Sequence, residues 1–588
     1  MNALHHFNLS LSELKEKSYK YSRIGDSNSK LDEISKLLAI QLFELNSELK
    51  PNWIETVLDN FKTNTEGLVS LLKVKFTEVS SSEIFFTNNN ENIFGNNPSL
   101  DIDNSDNEFA YSLLQLIHLN FKLTNSKKEK FDFLNEAFGY FIRDNFRNNI
   151  EDAQYMTPQE VVDLICNIGY NETIKEQDKH KGDEFLVCDP CCGVGSFLVS
   201  FNKLVEENKI VSIKTRLIGQ DKVQRMARLS KLNLNFLQGS NHDIFIGNSL
   251  AGKSDLDKYL GKIDLILTNP PFGARFSKSE LINEPKSNYP LLHDAIKNST
   301  SINSEILFVD RCLSLLKEGG HLLAVLPDSV ISSKGLAEIL RYRLINSSEY
   351  TLKSIIELPT VTFAQAGTRT KTSILHIQKI KVNNKPVFIA KSDTIGFEVS
   401  KRKGTTLKIQ SGENDLIKIF NCYKGIGSAP NMVLSNTPSV TLIPYENFKN
   451  NPWTPNHYNA NKVEILEHLS NHLNYELVRL EDIAYFVTAK RKKEIHKPES
   501  KCISVLHVIN GDLLDIDELI KYNPKYHGTV CQSGDLIFSK INPRIQRLLV
   551  IPQLEWHLTC SSEFEILNSK CELSNYELKT LLMLPQVK

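Results

Sequence analysis

Long apolar runs are missing from this 588-residue sequence, in which no stretch approaches the roughly 18 apolar residues of a membrane span. Its first residues, MNALHHFNLSLSELKEK, carry neither a basic segment nor an apolar core, so a secretory leader is not expected. The protein is expected to stay in the cytoplasm without a membrane partner. An excess of one charge is missing too: Lys and Arg number 69 against 70 Asp and Glu, a net charge of -1. A basic surface over the whole chain is thereby excluded, and any contact with nucleic acid must be local. Cysteine lacks the paired spacing of a metal scaffold. Its ten residues are scattered, and the one dense run, Cys188-x-x-Cys191-Cys192, has no second Cys or His pair at finger spacing. Reduced thiols and no bound metal are the expectation. There is no internal repeat. What is present, 41% hydrophobic and 24% charged residues, suffices for a sizeable core, and the length calls for two to four domains.

Three regions differ in character. Residues 1–145 read as a helical domain, best marked at 130–146, where Phe131, Leu134, Phe138, Phe141 and Ile142 share one face. A polar stretch at 87–107 reads as an exposed or mobile loop. Within 146–425, short apolar runs at 185–189, 216–220, 243–247, 263–268, 321–327, 352–359 and 372–378 alternate with helical periodicity at 196–206, 222–236, 304–317 and 334–346. That alternation predicts an α/β fold with a doubly wound, mainly parallel sheet and ligands at the carboxyl ends of its strands. The last two runs are close enough for an antiparallel hairpin at one edge. Residues 426–588 read as a Pro-punctuated linker, a short helix at 459–472 and a separate α+β domain.

The most specific chemistry lies in Asn269-Pro270-Pro271-Phe272-Gly273, directly after the strand IDLILT. An exocyclic amino group is a poor nucleophile because its lone pair is delocalised into the ring. The Asn269 carboxamide oxygen and the Pro270 carbonyl can accept both amino hydrogens and hold the nitrogen in line with a methyl donor. Pro271 stiffens the backbone with Pro270, and Phe272 offers a flat apolar face for an extruded base. A Pro-rich turn after a strand is the plain alternative. Upstream, Asp189-Pro190-Cys191-Cys192-Gly193-Val194-Gly195-Ser196 again joins a strand to a helix. Gly193 and Gly195 let the backbone approach a ligand, and Asp189 can accept from an ammonium or hydroxyl group. No third glycine and no Gly-Lys-Ser/Thr follow, which disfavours pyrophosphate. Asp221, ending Gly219-Gln220-Asp221, can bridge ribose hydroxyls, cap the next helix, or do both.

The order Tyr155-Met156-Thr157-Pro158, DPCCGVGSFL, GQD, GNSL, NPPFG over residues 130–380 resembles the N6-adenine DNA methyltransferases, most closely the modification subunits of type I restriction-modification systems. The resemblance implies a Rossmann-like core that uses S-adenosyl-L-methionine and acts on double-stranded DNA. It implies that Thr157 and Pro158 lie near the methionine end of the cofactor, that Asp189, Pro190, Gly193 and Gly195 line it, and that Asp221 holds its ribose. Asn269, Pro270 and Phe272 would grip the adenine. Family members often carry an acidic residue where this chain has Asn248, expected near the cofactor's adenine ring. Phe363, near the 367–372 loop, is expected either to stack in the adenine pocket or to be an ordinary buried Phe.

Residues 477–567 resemble one target-recognition domain of type I specificity subunits. Lys490, Arg491, Lys492 and Lys493, with Lys540, Arg544 and Arg547, would supply DNA contacts, unless the KRKKE run is simply a solvated surface. A specificity or restriction subunit is the implied partner. Three other readings stay open: an N-terminal nuclease built on pairs such as Glu13-x-Lys15 and Glu48-x-Lys50, a non-catalytic DNA-binding subunit, and methylation of RNA or of a protein glutamine.

Overall fold

The structure is a computed structural model. It describes residues 27–46, 52–124, 156–174, 184–208, 214–236, 241–277, 285–364, 368–380, 385–402, 405–426, 432–470, 478–488, 491–495, 499–524, 527–541, 545–570 and 572–584. The helix expected at 130–146 and the acidic pairs at 13–15 and 48–50 lie outside the described residues.

The chain divides into two compact units, Met1–Val463 and Glu464–Lys588. The first is built on a ten-stranded sheet. In chain order its strands are β1 (Glu184–Asp189), β2 (Lys214–Asp221), β3 (Asn241–Ile246), β4 (Ile263–Thr268), β5 (Leu316–Pro327), β6 (Thr351–Leu358), β7 (Thr372–Gln378) and β8 (Val387–Lys391). A hairpin of β9 (Ile395–Arg402) and β10 (Thr405–Asn414) stands apart, and β11 (Val433–Ser435) and β12 (Ser439–Ile443) rejoin the sheet. The spatial order is β11-β12-β8-β6-β7-β5-β4-β1-β2-β3. β1 runs parallel to both β2 and β4, while the chain first travels outward to β3 and then returns, so the strand order reverses between β1 and β4. In open α/β sheets the crevice at such a reversal is where ligands bind.

Burial explains the apolar runs. All six residues of β4 are buried, as a strand covered by helices on both faces must be. Its one charge, Asp264, accepts from Leu186 N at 2.8 Å and pairs with Lys317. The covering helices are α5 (Gln159–Thr173), α6 (Ser196–Glu207), α7 (Gln224–Asn235), α8 (Ser304–Leu315), α9 (Leu336–Ile345) and α10 (Asp415–Lys424); before them the chain forms α1 (Ser27–Asn46), α2 (Trp53–Asn60), α3 (Leu68–Ser80) and α4 (Asn107–Thr124). The early helices do not have a core to themselves. Leu37, Leu72, Phe76 and Leu113 share one apolar cluster with Met226, Leu229 and Leu232 of α7. Arg225 and Arg228 of that helix both pair with Asp32 of α1, at 2.7 and 3.1 Å.

Three expectations are corrected. The β6/β7 hairpin is antiparallel as expected but lies inside the sheet, because β8 adds to β6 in parallel and β12 and β11 follow. The 426–458 stretch is not a linker throughout: β12 pairs with β8 over Ser439–Ile443, and the apolar Val440, Leu442 and Ile443 are buried by that pairing. The polar 87–107 segment is anchored rather than wholly exposed, since Ile93, Phe94, Leu100 and Ile102 are buried.

A polar relay crosses the lower half of this unit. The Lys353 ammonium pairs with Glu172 at 2.8 Å, Tyr423 donates to Glu172 at 2.8 Å, and His376 joins Tyr423 at 3.1 Å and His321 at 2.9 Å. Glu172, His321 and His376 are close enough to hold a metal ion. The cation beside Glu172 and the partners on the His376 ring instead make the group a lock between α5, α10 and the sheet. Burial holds both imidazoles neutral, pushing His321 down to about 4 and lowering His376 as well. Below pH 6.5 the unfolded chain therefore takes up protons that the folded chain refuses until about pH 4, so stability present at neutral pH is lost as pH falls through that window. Tyr423→Phe leaves a buried carboxylate oxygen and an imidazole nitrogen each short of a partner. It is expected to lower unfolding free energy by about 1–3 kcal/mol, read from the urea midpoint at pH 7.5.

The second unit carries two four-stranded sheets. One contains Ala484–Phe486, Phe564–Ser569, Leu536–Ser539 and Leu548–Val550; the other contains Lys493–Ile495, His527–Cys531, His557–Cys560 and Ser500–Ile503. With the helices Ile516–Lys521 and Asn575–Leu582 the unit mixes helix and strand, and it begins at Glu464 rather than at 426.

Candidate active site

The carboxyl ends of β1, β2 and β4 carry the three loops singled out in the sequence, and a cleft partly open to solvent lies among them. Its lining includes Thr157, Asp189, Gly193, Asn269 and Pro271. Residues separated by more than 100 positions thus meet in one place. Sequence reasoning missed Met156, Val194, Phe197 and Met226 as lining residues. Nothing in spacing marks Met226, which enters from the first turn of α7.

Each loop is held by its own chemistry. Asn269, half-buried at the end of β4, donates through Nδ2 to Thr157 Oγ1 at 3.0 Å. Pro158 immediately precedes α5 and supplies its first backbone acceptor, to Val161 and Val162. The side chain of Thr268 donates to Asp189 Oδ1 at 2.7 Å, and Cys191 N donates to the same oxygen at 3.1 Å. Pro190 is buried, and its carbonyl accepts from Ser249. Gly195 has φ +83°, and a Cβ there would stand 2.7 Å from Ser230 Oγ, so the entry to α6 accepts no larger residue without displacement.

Asp189 is 2% exposed, and burial pushes its carboxyl up to about 7, with the nearby Asp221 adding to the rise. Asp221 turns both oxygens to backbone: Oδ2 accepts from Gly193 N at 3.0 Å and Oδ1 from Val223 N at 2.9 Å. It braces the glycine loop and closes a turn ahead of α7; it is not that helix's cap, because the N-cap residue is Val223. Asn248 Oδ1 accepts from Leu250 N at 3.1 Å, closing a turn after β3.

Phe272 and Phe363 meet edge to face, with centroids 5.6 Å apart and planes at 84°. Phe363 is 1% exposed, which leaves no face for a base and makes it the backing of Phe272. Pro270 is buried and Pro271 half-buried.

The donor set tests what the cleft can hold. One buried carboxylate, Asp189, lines it, with the buried Asp221 behind the glycine loop; its walls include Met156, Val194, Phe197 and Met226, and its lining contains no Lys or Arg. A pyrophosphate would meet no counter-charge. A ligand carrying an ammonium and a sulfonium, such as S-adenosyl-L-methionine, matches both the charge and the apolar walls.

In the second unit the expected DNA contacts divide. Lys490 and Arg544 lie outside the described residues. Arg491 is engaged internally, its guanidinium meeting the buried Asp535 at 3.0 and 3.2 Å. Lys540 pairs with Glu565 at 2.8 Å. Lys492 and Lys493 are exposed, and Arg547 is half-buried. No helix among the described residues is long and apolar enough to cross a membrane.

Comparison with known proteins gives the family. The family model for N-6 DNA methylase matches residues 129–443. The type I restriction enzyme StySPI methylase subunit of Salmonella potsdam is 26% identical over 248 residues, 40% of this chain and 41% of that protein. The type II restriction enzyme and methyltransferase RM.BcgI of Heyndrickxia coagulans is 24% identical over 282 residues, 47% of this chain and 39% of that protein. The chain therefore matches about two fifths of the length of these relatives. Among solved structures, the methyltransferase subunit of a type I restriction-modification system from Streptococcus thermophilus shares the fold, with a TM-score of 0.50 and 15% identity over 78% of this chain and 98% of that one.

Proposed function

The chain belongs to the N-6 DNA methylase family, and from that premise we propose that it transfers a methyl group from S-adenosyl-L-methionine to the exocyclic N6 of adenine in double-stranded DNA, as part of a restriction-modification system. The observation that carries the proposal is the convergence of Asn269, Thr157 and Asp189 on one cleft without basic residues.

Bound in that cleft, S-adenosyl-L-methionine supplies an electrophilic sulfonium methyl group. Asp189 takes the ammonium of its methionine end, near Thr157 and Pro158. Gly193 and Gly195 admit the ligand close to the backbone, with Pro190 bordering it. The ribose falls to Asp221, whose carboxylate accepts from its hydroxyls. Asn248 serves the adenine ring in the same way. The target adenine leaves the duplex stack to reach the site. Thr157 holds the nitrogen end of the Asn269 carboxamide, which turns the oxygen toward the substrate amine. That oxygen and the Pro270 carbonyl accept the two N6 hydrogens, Pro271 limits the backbone's freedom to turn away, and Phe272 stacks on the base. The amine is thereby held with its lone pair developing toward the methyl carbon.

The second unit is proposed as the DNA-recognition element, with Lys492 and Lys493 on phosphates and Lys490 and Arg544 completing the basic set. Arg491 shapes that unit through Asp535, and Lys540 is available only by giving up Glu565. A specificity or restriction subunit is the proposed partner. The test is sequencing of DNA, by a method that detects N6-methyladenine, from cells expressing the chain alone and with a neighbouring specificity protein. A single modified motif supports the proposal. Modification only on co-expression means that the second unit does not suffice for recognition, and unmodified DNA in both arms refutes the reaction.

A further inference from the structure

The loop that is to present Asn269 and Phe272 is fastened to the start of α8, a helix marked in the sequence without a role at the site. Ser304 and Glu305 open α8 and are 0% and 2% exposed. The Ser304 hydroxyl donates to Pro271 O at 2.8 Å, and Ser304 N donates to Ala274 O at 2.8 Å. Gly273 N donates to Glu305 Oε2 at 3.3 Å, and the Ser304 hydroxyl lies 3.4 Å from the same oxygen. Just beyond, Arg275–Ser277 pairs antiparallel with Ser301–Asn303 and ties the loop's exit to the approach of α8.

We propose that Ser304 and Glu305 are positioning residues for the Asn269–Phe272 loop, acting as a two-point clamp that fixes the direction of the Phe272 ring and the Pro270 carbonyl. Three facts point there. The clamped atoms, Pro271 O and Gly273 N, flank Phe272 on both sides, so its backbone cannot rotate while both bonds hold. Gly273 sits at φ +77°, which glycine reaches without strain and leaves as easily, so the bonds around it must fix the turn once the two prolines end. A carboxylate buried to 2% exposure is costly, and here it accepts from a backbone N–H of the loop. The clamp rests on the methyltransferase reading for its catalytic meaning but not for its existence.

The experiment uses the full chain with Ser304→Ala, Glu305→Ala and Glu305→Gln. Amide hydrogen exchange of the 268–277 segment is followed without substrate, alongside methyl-donor affinity and turnover on DNA. The clamp predicts that Glu305→Ala speeds Gly273 exchange about tenfold or more, while peptides of β1 and β2 keep their protection. Turnover falls about 30-fold with donor affinity within about threefold, and Glu305→Gln, which still offers an acceptor oxygen, restores most of both. Unchanged exchange at Gly273 overturns the clamp, and so does a loss of donor affinity that parallels the loss of turnover. Ser304→Ala gives an independent arm should Glu305→Ala not fold. A wild-type chain that modifies no DNA sinks the reaction, whereas the exchange data still decide the clamp.

Discussion

Replacing Asn269 with alanine is expected to lower methyl transfer by at least about a thousandfold while methyl-donor affinity stays within about threefold. The asymmetry follows from where the side chain works. Asn269 follows the last residue of β4, and its described side-chain bond within the cleft runs to Thr157. It touches the donor's surroundings only at their edge. Its carboxamide oxygen is needed when the amine nitrogen pyramidalises and its hydrogens become more acidic, so the interaction strengthens toward the transition state. Because the residue is half-buried, truncation opens no sealed core cavity. Asn269→Asp keeps an acceptor but reverses the bond to Thr157, whose hydroxyl must now donate and can draw either carboxylate oxygen, and adds charge beside Asp189; it should retain more turnover than Asn269→Ala while falling well short of the wild type. Transfer assays with saturating donor, paired with calorimetric titration of the donor, separate these effects. Turnover of Asn269→Ala within tenfold of wild type would remove the side chain from the reaction.

The strands that build this pocket were legible because parallel strands buried on both faces must be written as apolar runs. β1 through β7 fall within a few residues of the segments at 185–378 marked from periodicity. The loops were legible because their residue types are uncommon at strand ends. Context was less so. Val440 and Ile443 sit among prolines and read as linker, yet β12 buries them against β8, a pairing set by a partner about 50 residues away. Arg491 read as one charge in a basic run, and only the fold shows Asp535 waiting for it. Met226, Ser304 and Glu305 reach the site because helices α7 and α8 start at the carboxyl edge of the sheet, and no local pattern announces where a helix will begin in space. Phe363 kept two meanings until its burial beside Phe272 decided between them.

The pH dependence of donor binding is the second large effect. Asp189 is a buried carboxyl held at about 7 in the protein without ligand. Its bonds from Thr268 and Cys191 favour the charged form, but burial outweighs them. A ligand ammonium can pair only with the ionised form, so below about pH 7 the incoming cation must first displace a proton. From pH 7.5 to pH 6 the donor's dissociation constant is expected to rise roughly tenfold, the slope of one linked proton. Above about pH 8 the donor's own α-amino group begins to deprotonate, and affinity falls again on that side. Asp189→Asn keeps the shape and the acceptor for Thr268 but has no charge to offer. It should weaken binding about a hundredfold at pH 7.5 and abolish the acid limb, leaving only the alkaline one. The buried His321 and His376 do not confuse the result: neither lines the cleft, and their titration acts on folding, which a thermal midpoint at each pH reports separately. Calorimetry across this range checks both claims, and wild-type binding that is flat between pH 6 and 7.5 would show that the ammonium is held elsewhere.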